Sequence, residues 1–184
     1  MGLYLFLLLS VIAIHYLYFG ESLANLWLSE TYPPSHLDQQ TYLLEVDILI
    51  GSIVGAAVVQ LSRILSKMTV WANKLNQEFS VYFTSFSSLY LSGLAVMSAL
   101  AEEVIFRGWL QDYLGLVWTS VIFGLLHIPP QRSHWPWTLS ALLMGFAFGG
   151  LYEWRASVTA PFIAHFTINY FNLHALAELK HSPK

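Results

Sequence analysis

Apolar residues run in long blocks along this chain, and most polar positions fall in the short gaps between them. Residues 3–19 are apolar apart from Ser10 and His15 and are long enough for one membrane-crossing helix. Residues 46–65 form a second block, with Gly51 and Gly55 at the small-xxx-small spacing that lets helices approach closely. Residues 66–80 are polar but carry Trp71, Leu75 and Phe79 at i, i+4 and i+8, which predicts a short interfacial helix. A third block, residues 81–114, contains Glu102, Glu103, Arg107 and Asp112. The fourth, residues 115–128, is short and stops at Pro129-Pro130, which cannot continue a helix. The fifth covers about 137–152, with Gly145, Gly149 and Gly150, and the sixth about 157–179. The pattern predicts an all-α fold: one integral membrane domain over residues 1–184, built as a polytopic bundle of about six transmembrane helices. The chemistry-bearing part is expected within about 81–179.

Composition agrees with a lipid-solvated chain. Of its residues 56% are hydrophobic and only 10% charged, and mean hydropathy is +0.55. A disordered tail is excluded. With no cysteine, so are a disulfide framework, a Cys-rich zinc domain and a thiol nucleophile. The net charge of −3 without a basic cluster argues against nucleic acid as a partner. Ser22-Leu23-Ala24 resembles a signal-cleavage site, but the first block is long and has no basic residues before it, so it reads as a retained span.

Loop charges orient the chain. Residues 20–47 carry Glu21, Glu30, Asp38, Glu45 and Asp47 and no Lys or Arg, whereas 63–80 carry Arg63, Lys67 and Lys74. Basic residues favour the cytoplasmic side. Alternation then places Arg132, Lys180 and Lys184 inside with both termini, and leaves Arg107 and Arg155 toward the outside.

Ionisable groups inside spans are the natural place to look for chemistry. Glu103 and Arg107 are i, i+4 in the favourable acid-first order and can neutralise one another. Glu102 points roughly 100° away from Glu103 and lacks that partner, which suits it to act as a general base. His165 and Asn169 are i, i+4 and share a helix face. With a turn near 112–115, Glu102 and His127 each lie roughly 17–20 Å from it; His165 and Asn169 lie roughly 15 and 21 Å from a turn near Arg155. All four fall at one depth. Such a cluster suits water activation with oxyanion stabilisation, a metal held by Glu and two His, a proton relay, or hydrogen bonds that merely fasten the helices.

The residues also resemble a known family. Glu102-Glu103-Val104-Ile105-Phe106-Arg107 matches the EExxxR signature of the CPBP family, the CAAX-processing and bacteriocin-immunity type of intramembrane protease, which includes type II CAAX prenyl endopeptidases. Phe123 to His127 matches its FxxxH motif, His165 to Asn169 its HxxxN motif, and Phe106-Arg107-Gly108 is also typical. The resemblance covers about residues 90–175. It implies a glutamate-dependent membrane endopeptidase in which Glu102 and His127 activate water and His165 and Asn169 stabilise the oxyanion. Glu103 and Arg107 would support the site. No cofactor is expected, since the motifs contain no HExxH pair; zinc on Glu102, His127 and His165 is the alternative. The implied partner is a membrane-associated peptide or protein substrate in the bilayer, and the expected location a prokaryotic plasma membrane. A non-catalytic immunity or interaction protein of the same family, or a proton-coupled transporter, are the competing functions.

The other histidines read as bystanders. His15 is expected to hydrogen-bond in the core, and His36, His134 and His181 to be solvated. His174 lies half a turn round the helix from His165. Asp47 and Glu153 are expected near interfaces, with no buried role.

Overall fold

The computed structural model describes residues 1–20, 23–29, 44–129, 131 and 134–179. Glu21, Glu30, His36, Asp38, Arg132, Lys180, His181 and Lys184 lie outside the described residues. Helix α1 spans Gly2–Ile14 and runs on through a π-helical turn, His15–Phe19, that ends at Gly20 in the left-handed region (φ 69). Helix α2 is Leu44–Met68, and α3, Val70–Ser80, starts where the Thr69 side chain accepts the Ala72 N–H. Trp71, Leu75 and Phe79 fall on this interfacial helix as their spacing predicts. The third apolar block begins as a turn; α4, Ser88–Ile105, starts only at the Ser87 hydroxyl, which accepts the Tyr90 N–H.

A π-helical turn, Phe106–Leu110, joins α4 to α5, Gln111–Leu126. Gly115 (φ 72, ψ 172) breaks the helix there, and a side chain would strain that backbone. Helix α6 is Trp135–Arg155, with Pro136 in its first turn, and α7 is Thr159–Glu178. Among the described residues there is no strand beyond one antiparallel bridge, Leu28 to Ser157. The architecture is an all-α bundle.

Helix α7 lies at the centre, against α2, α4 and α6. Its contact with α2 is close: a Cβ on Gly51 would sit 2.5 Å from the Ala160 carbonyl oxygen. The Gly51/Gly55 spacing thus serves backbone approach. Helices α1 and α4 run in the same direction, with Met1 against Gly93 and Leu8 and Val11 clustered with Ala101 and Val104.

At the α6–α7 turn the chain is fastened by polar contacts. Val158 N–H donates to the Trp27 carbonyl and Ser29 N–H to that of Ala156, both at 2.9 Å. Asp47, expected near an interface, is fully buried and ion-paired with Arg155; the first turn of α2 packs into this corner, where a lone carboxylate would be costly. His134, expected in solvent, is also buried. Its Nε2 lies 2.6 Å from Glu78 of α3, and its ring packs on Phe79.

By length and hydropathy, α2 and the α4–α5 stretch are capable of crossing a membrane, and residues 2–17 form a shorter apolar helix.

Candidate active site

The Gly115 turn folds α5 back along α4, so His127 at the end of α5 returns to Glu102. Its Nε2 lies 3.8 Å from Glu102 Oε2. His165, from α7, brings its own Nε2 to 3.9 Å from the same oxygen. Glu102, His127 and His165 therefore converge from three helices. The Glu102 and His127 side chains keep 14% and 21% of their exposure, so the cluster is reachable from one side of the bundle. Asn169 lies one turn further along α7, where its amide donates to Ser98 Oγ at 3.0 Å. Ser98 is i−4 from Glu102, so Asn169 shares the face but not the contact.

Each histidine has a different group behind it. His127 Nδ1 lies 2.7 Å from the Phe123 carbonyl, which can only accept, so the Nδ1 proton is committed there and Nε2 presents a lone pair to Glu102. His165 Nδ1 lies 2.7 Å from Glu103 Oε1. That carboxylate also accepts from Arg107 NH1 at 3.1 Å, so it too takes the imidazole proton. Glu103 is thus more than Arg107's structural partner: it orients His165. Because Glu103 is a carboxylate, it can also compensate a positive charge on His165. A carbonyl behind His127 offers far less.

Arg107 is fully buried and heavily compensated. Besides Glu103, its NH2 donates to the Gly145 carbonyl at 3.1 Å. Its guanidinium lies over Phe123 at 4.8 Å, Phe148 at 5.5 Å and Phe106 at 5.9 Å. Such faces favour a cation. The π-helical turn matters to this placement, since π-bulges recur at functional sites and this one brackets Arg107. It also carries Gly108, where a Cβ would fall 2.0 Å from the Leu26 carbonyl oxygen; only glycine lets segment 23–29 lie against it.

Motif spacing alone did not reveal the supporting residues. Phe123 uses its carbonyl on His127 and its ring on Arg107. Phe148 stacks on His165 at 5.1 Å, and Trp137 sets its edge against His127 at 5.5 Å. Ser98 had a legible signal, one turn before Glu102; Phe148 and Trp137 had none. A cavity of about 360 Å³ lies elsewhere, at the α2–α3 elbow, lined by residues including Lys67, Thr69 and Lys74.

The donor chemistry at the cluster also suits a metal: two Nε2 lone pairs with Nδ1 fixed from behind, and a carboxylate. The spacing is looser than that of tetrahedral ligands, and no group of three or more His, Asp or Glu among the described residues is arranged to hold an ion.

In this all-α bundle the Glu102–Glu103–Arg107 segment lies against two histidines. Residues 84–171 match the family described as Rce1-like, type II CAAX prenyl endopeptidase. The same part is 36% identical over 87 residues to YpbD, an uncharacterized protein of Bacillus subtilis (strain 168). The match covers 47% of this chain and 46% of that protein, so the chain spans less than half the length of that relative. No solved structure matches the chain significantly.

Proposed function

We propose that the protein is an intramembrane endopeptidase that hydrolyses a peptide bond of a membrane-associated peptide or protein, with Glu102 and His127 activating water. The carrying observation is the convergence of Glu102, His127 and His165 from three helices, with both Nε2 atoms turned to one carboxylate oxygen. Two atoms 3.8 Å apart can both lie about 2.8 Å from one water oxygen, an ordinary hydrogen-bond distance. Glu102 takes the water proton as the oxygen attacks the scissile carbonyl carbon. The carbonyl π electrons move to its oxygen. The His165 ring, backed by Glu103 whenever its Nε2 carries a proton, and the Asn169 amide donate to that oxyanion. When the tetrahedral intermediate collapses, the C–N bond breaks and the proton held at Glu102 or His127 passes to the leaving amine.

The site works in a bilayer with six spans, α1, α2 and α4 to α7, and with α3 in the interface. Supporting this topology, α1 and α4 run in parallel, while Arg63, Lys67 and Lys74 gather at the α2–α3 end; the positive-inside rule makes that end, with both termini, cytoplasmic. Polar groups at this depth need a small water-filled cavity, since lipid cannot solvate them.

Zinc is the second reading, favoured by the fixed Nδ1 protons. The ion would be held by Glu102, His127 and His165 and would supply Lewis-acid activation of water. Metal analysis of the purified protein decides between the two: a metal-free, chelator-resistant activity supports the glutamate mechanism, and stoichiometric zinc with chelator-sensitive turnover overturns it. The endopeptidase reading itself is tested by comparing the peptides of membranes that hold the wild type or Glu102→Gln. New C-termini only with the wild type support it; identical peptide sets reject it.

A further inference from the structure

Of the three converging residues, His127 has the least secure place. Glu102 and His165 sit within helices α4 and α7, whereas His127 caps the C-terminus of α5 at φ −100 and ψ 19. The last carbonyls of a helix have no partner along the chain, and such ends fray. Here the His127 N–H turns back to the Gly124 carbonyl at 3.0 Å, and the Phe123 carbonyl takes the imidazole Nδ1 proton at 2.7 Å. That one hydrogen bond fixes where Nδ1 goes but not the plane of the ring. The plane decides whether Nε2 faces Glu102.

The first turn of α6 supplies the rest. Thr138 Oγ1 donates to the His127 carbonyl at 2.9 Å. On the ring itself, Phe123 lies tilted at 4.6 Å between centroids, and Trp137 stands edge-on at 5.5 Å and 86°. Trp137 is backed in turn by Phe79 of α3 at 5.1 Å, and Phe79 by His134 at 4.8 Å. His134, the buried N-cap of α6, brings Nε2 to 2.6 Å from Glu78 Oε2. Lys74 Nζ stands 3.7 Å from the same carboxylate. A carboxylate can only accept, so His134 Nε2 carries the proton of this bond. A continuous file of contacts thus runs from α3 to the site: Glu78, His134, Phe79, Trp137, His127.

We infer that Trp137 is a positioning residue for His127, and that the Glu78–His134 pair, which ties α6 to α3, holds Trp137 to that task. The inference rests on the endopeptidase reading above. Trp137 stops the imidazole from swinging away from Glu102, so Nε2 stays within reach of the water between the two groups. A misplacement of about 1 Å costs on the order of 10²-fold in rate. A ring free to swing therefore loses kcat and leaves substrate affinity alone. Trp137 is also 40% exposed; were it instead a wall of the substrate groove, KM would carry its loss.

On membrane peptides cleaved by the wild type, Trp137→Ala is expected to lower kcat about ten- to hundredfold with KM within about twofold. Trp137→Phe keeps an aromatic ring against His127 and is expected within about threefold of the wild-type kcat. Glu78→Ala is expected to lower kcat about three- to tenfold alone and to add nothing in Trp137→Ala, because the two act through one file of contacts. Leu91→Ala, in the core roughly 16 Å along α4 from Glu102, is the stability control and should leave kcat within about twofold. Independently of turnover, nitrogen NMR of histidine-labelled protein should find the His127 proton fixed on Nδ1 in the wild type and shared between both ring nitrogens in Trp137→Ala. Wild-type kcat or an unchanged tautomer in Trp137→Ala overturns the inference alone. So does a loss carried by KM, additivity with Glu78→Ala, or an equal loss in Leu91→Ala. A wild type that cleaves nothing, or a folded Glu102→Gln that cleaves at the wild-type rate, overturns the endopeptidase reading instead, and the tautomer spectra then still decide whether Trp137 positions His127.

Discussion

Replacing Glu103 by Gln removes a charge on which two buried groups depend. In the native protein this carboxylate, itself fully buried, holds Arg107 NH1 at 3.1 Å and His165 Nδ1 at 2.7 Å. The guanidinium cannot shed its proton and cannot reach water. Its Gly145 hydrogen bond and the faces of Phe106, Phe123 and Phe148 persist in the variant, so they soften the loss without replacing the counter-charge. Removing one partner of a buried ion pair costs about 3–5 kcal/mol. The Gln carbonyl can still accept one of the two hydrogen bonds, which places Glu103→Gln at the lower end, about 3 kcal/mol. For a protein of this size that is a fall of about 6–12 °C in melting temperature, readable in detergent by tryptophan fluorescence. The double variant Glu103→Gln/Arg107→Met deletes both charges and is predicted to lose less than the sum of its singles, since neighbours in one network are not additive. A Glu103→Gln melting temperature within about 2 °C of wild type, or simple additivity in the double variant, would refute the reasoning.

Two further outcomes follow from the geometry. Gly108→Ala drives a Cβ into the Leu26 carbonyl, so segment 23–29 must shift; stability is expected to fall by about 1–3 kcal/mol, and proteolysis between α1 and α2 to quicken. Unchanged proteolysis would contradict the close packing. Asn169→Ala removes a proposed oxyanion donor and should lower kcat about 10²–10³-fold, whereas Ser98→Ala, which frees the Asn169 amide from its hydroxyl partner, should cost at most about tenfold. Equal losses in steady-state assays of the two would make Asn169 a helix fastener.

Much of this was legible in the sequence because membrane bundles write their helices as apolar blocks. The six long helices fall where those blocks lie, and α3 follows from Trp71, Leu75 and Phe79. The start of α4 at Ser87 was missed because residues 81–86 are as apolar as the helix after them; a capping hydroxyl, not hydrophobicity, sets that boundary. The π-helical turn at Phe106–Leu110 changes hydrogen-bond register without any change in pattern. Depth arithmetic brought Glu102, His127 and His165 to one level but could not resolve which residue each side chain touches. It placed Asn169 in the same cluster, whereas it lies one turn away on Ser98. Asp47 and His134 were misjudged for a shared reason: their burial comes from partners distant in sequence, Arg155 and Glu78, which a local reading of loop polarity does not see.

The central claim is that Glu102 is the base that activates water. The most direct measurement sets purified wild type against Glu102→Gln on the same membrane peptide substrates, with new C-termini counted by mass spectrometry and folding of both checked by melting temperature. The account predicts that Glu102→Gln melts close to wild type and cleaves at least about 10²-fold more slowly. A folded Glu102→Gln protein that cleaves at the wild-type rate would contradict it.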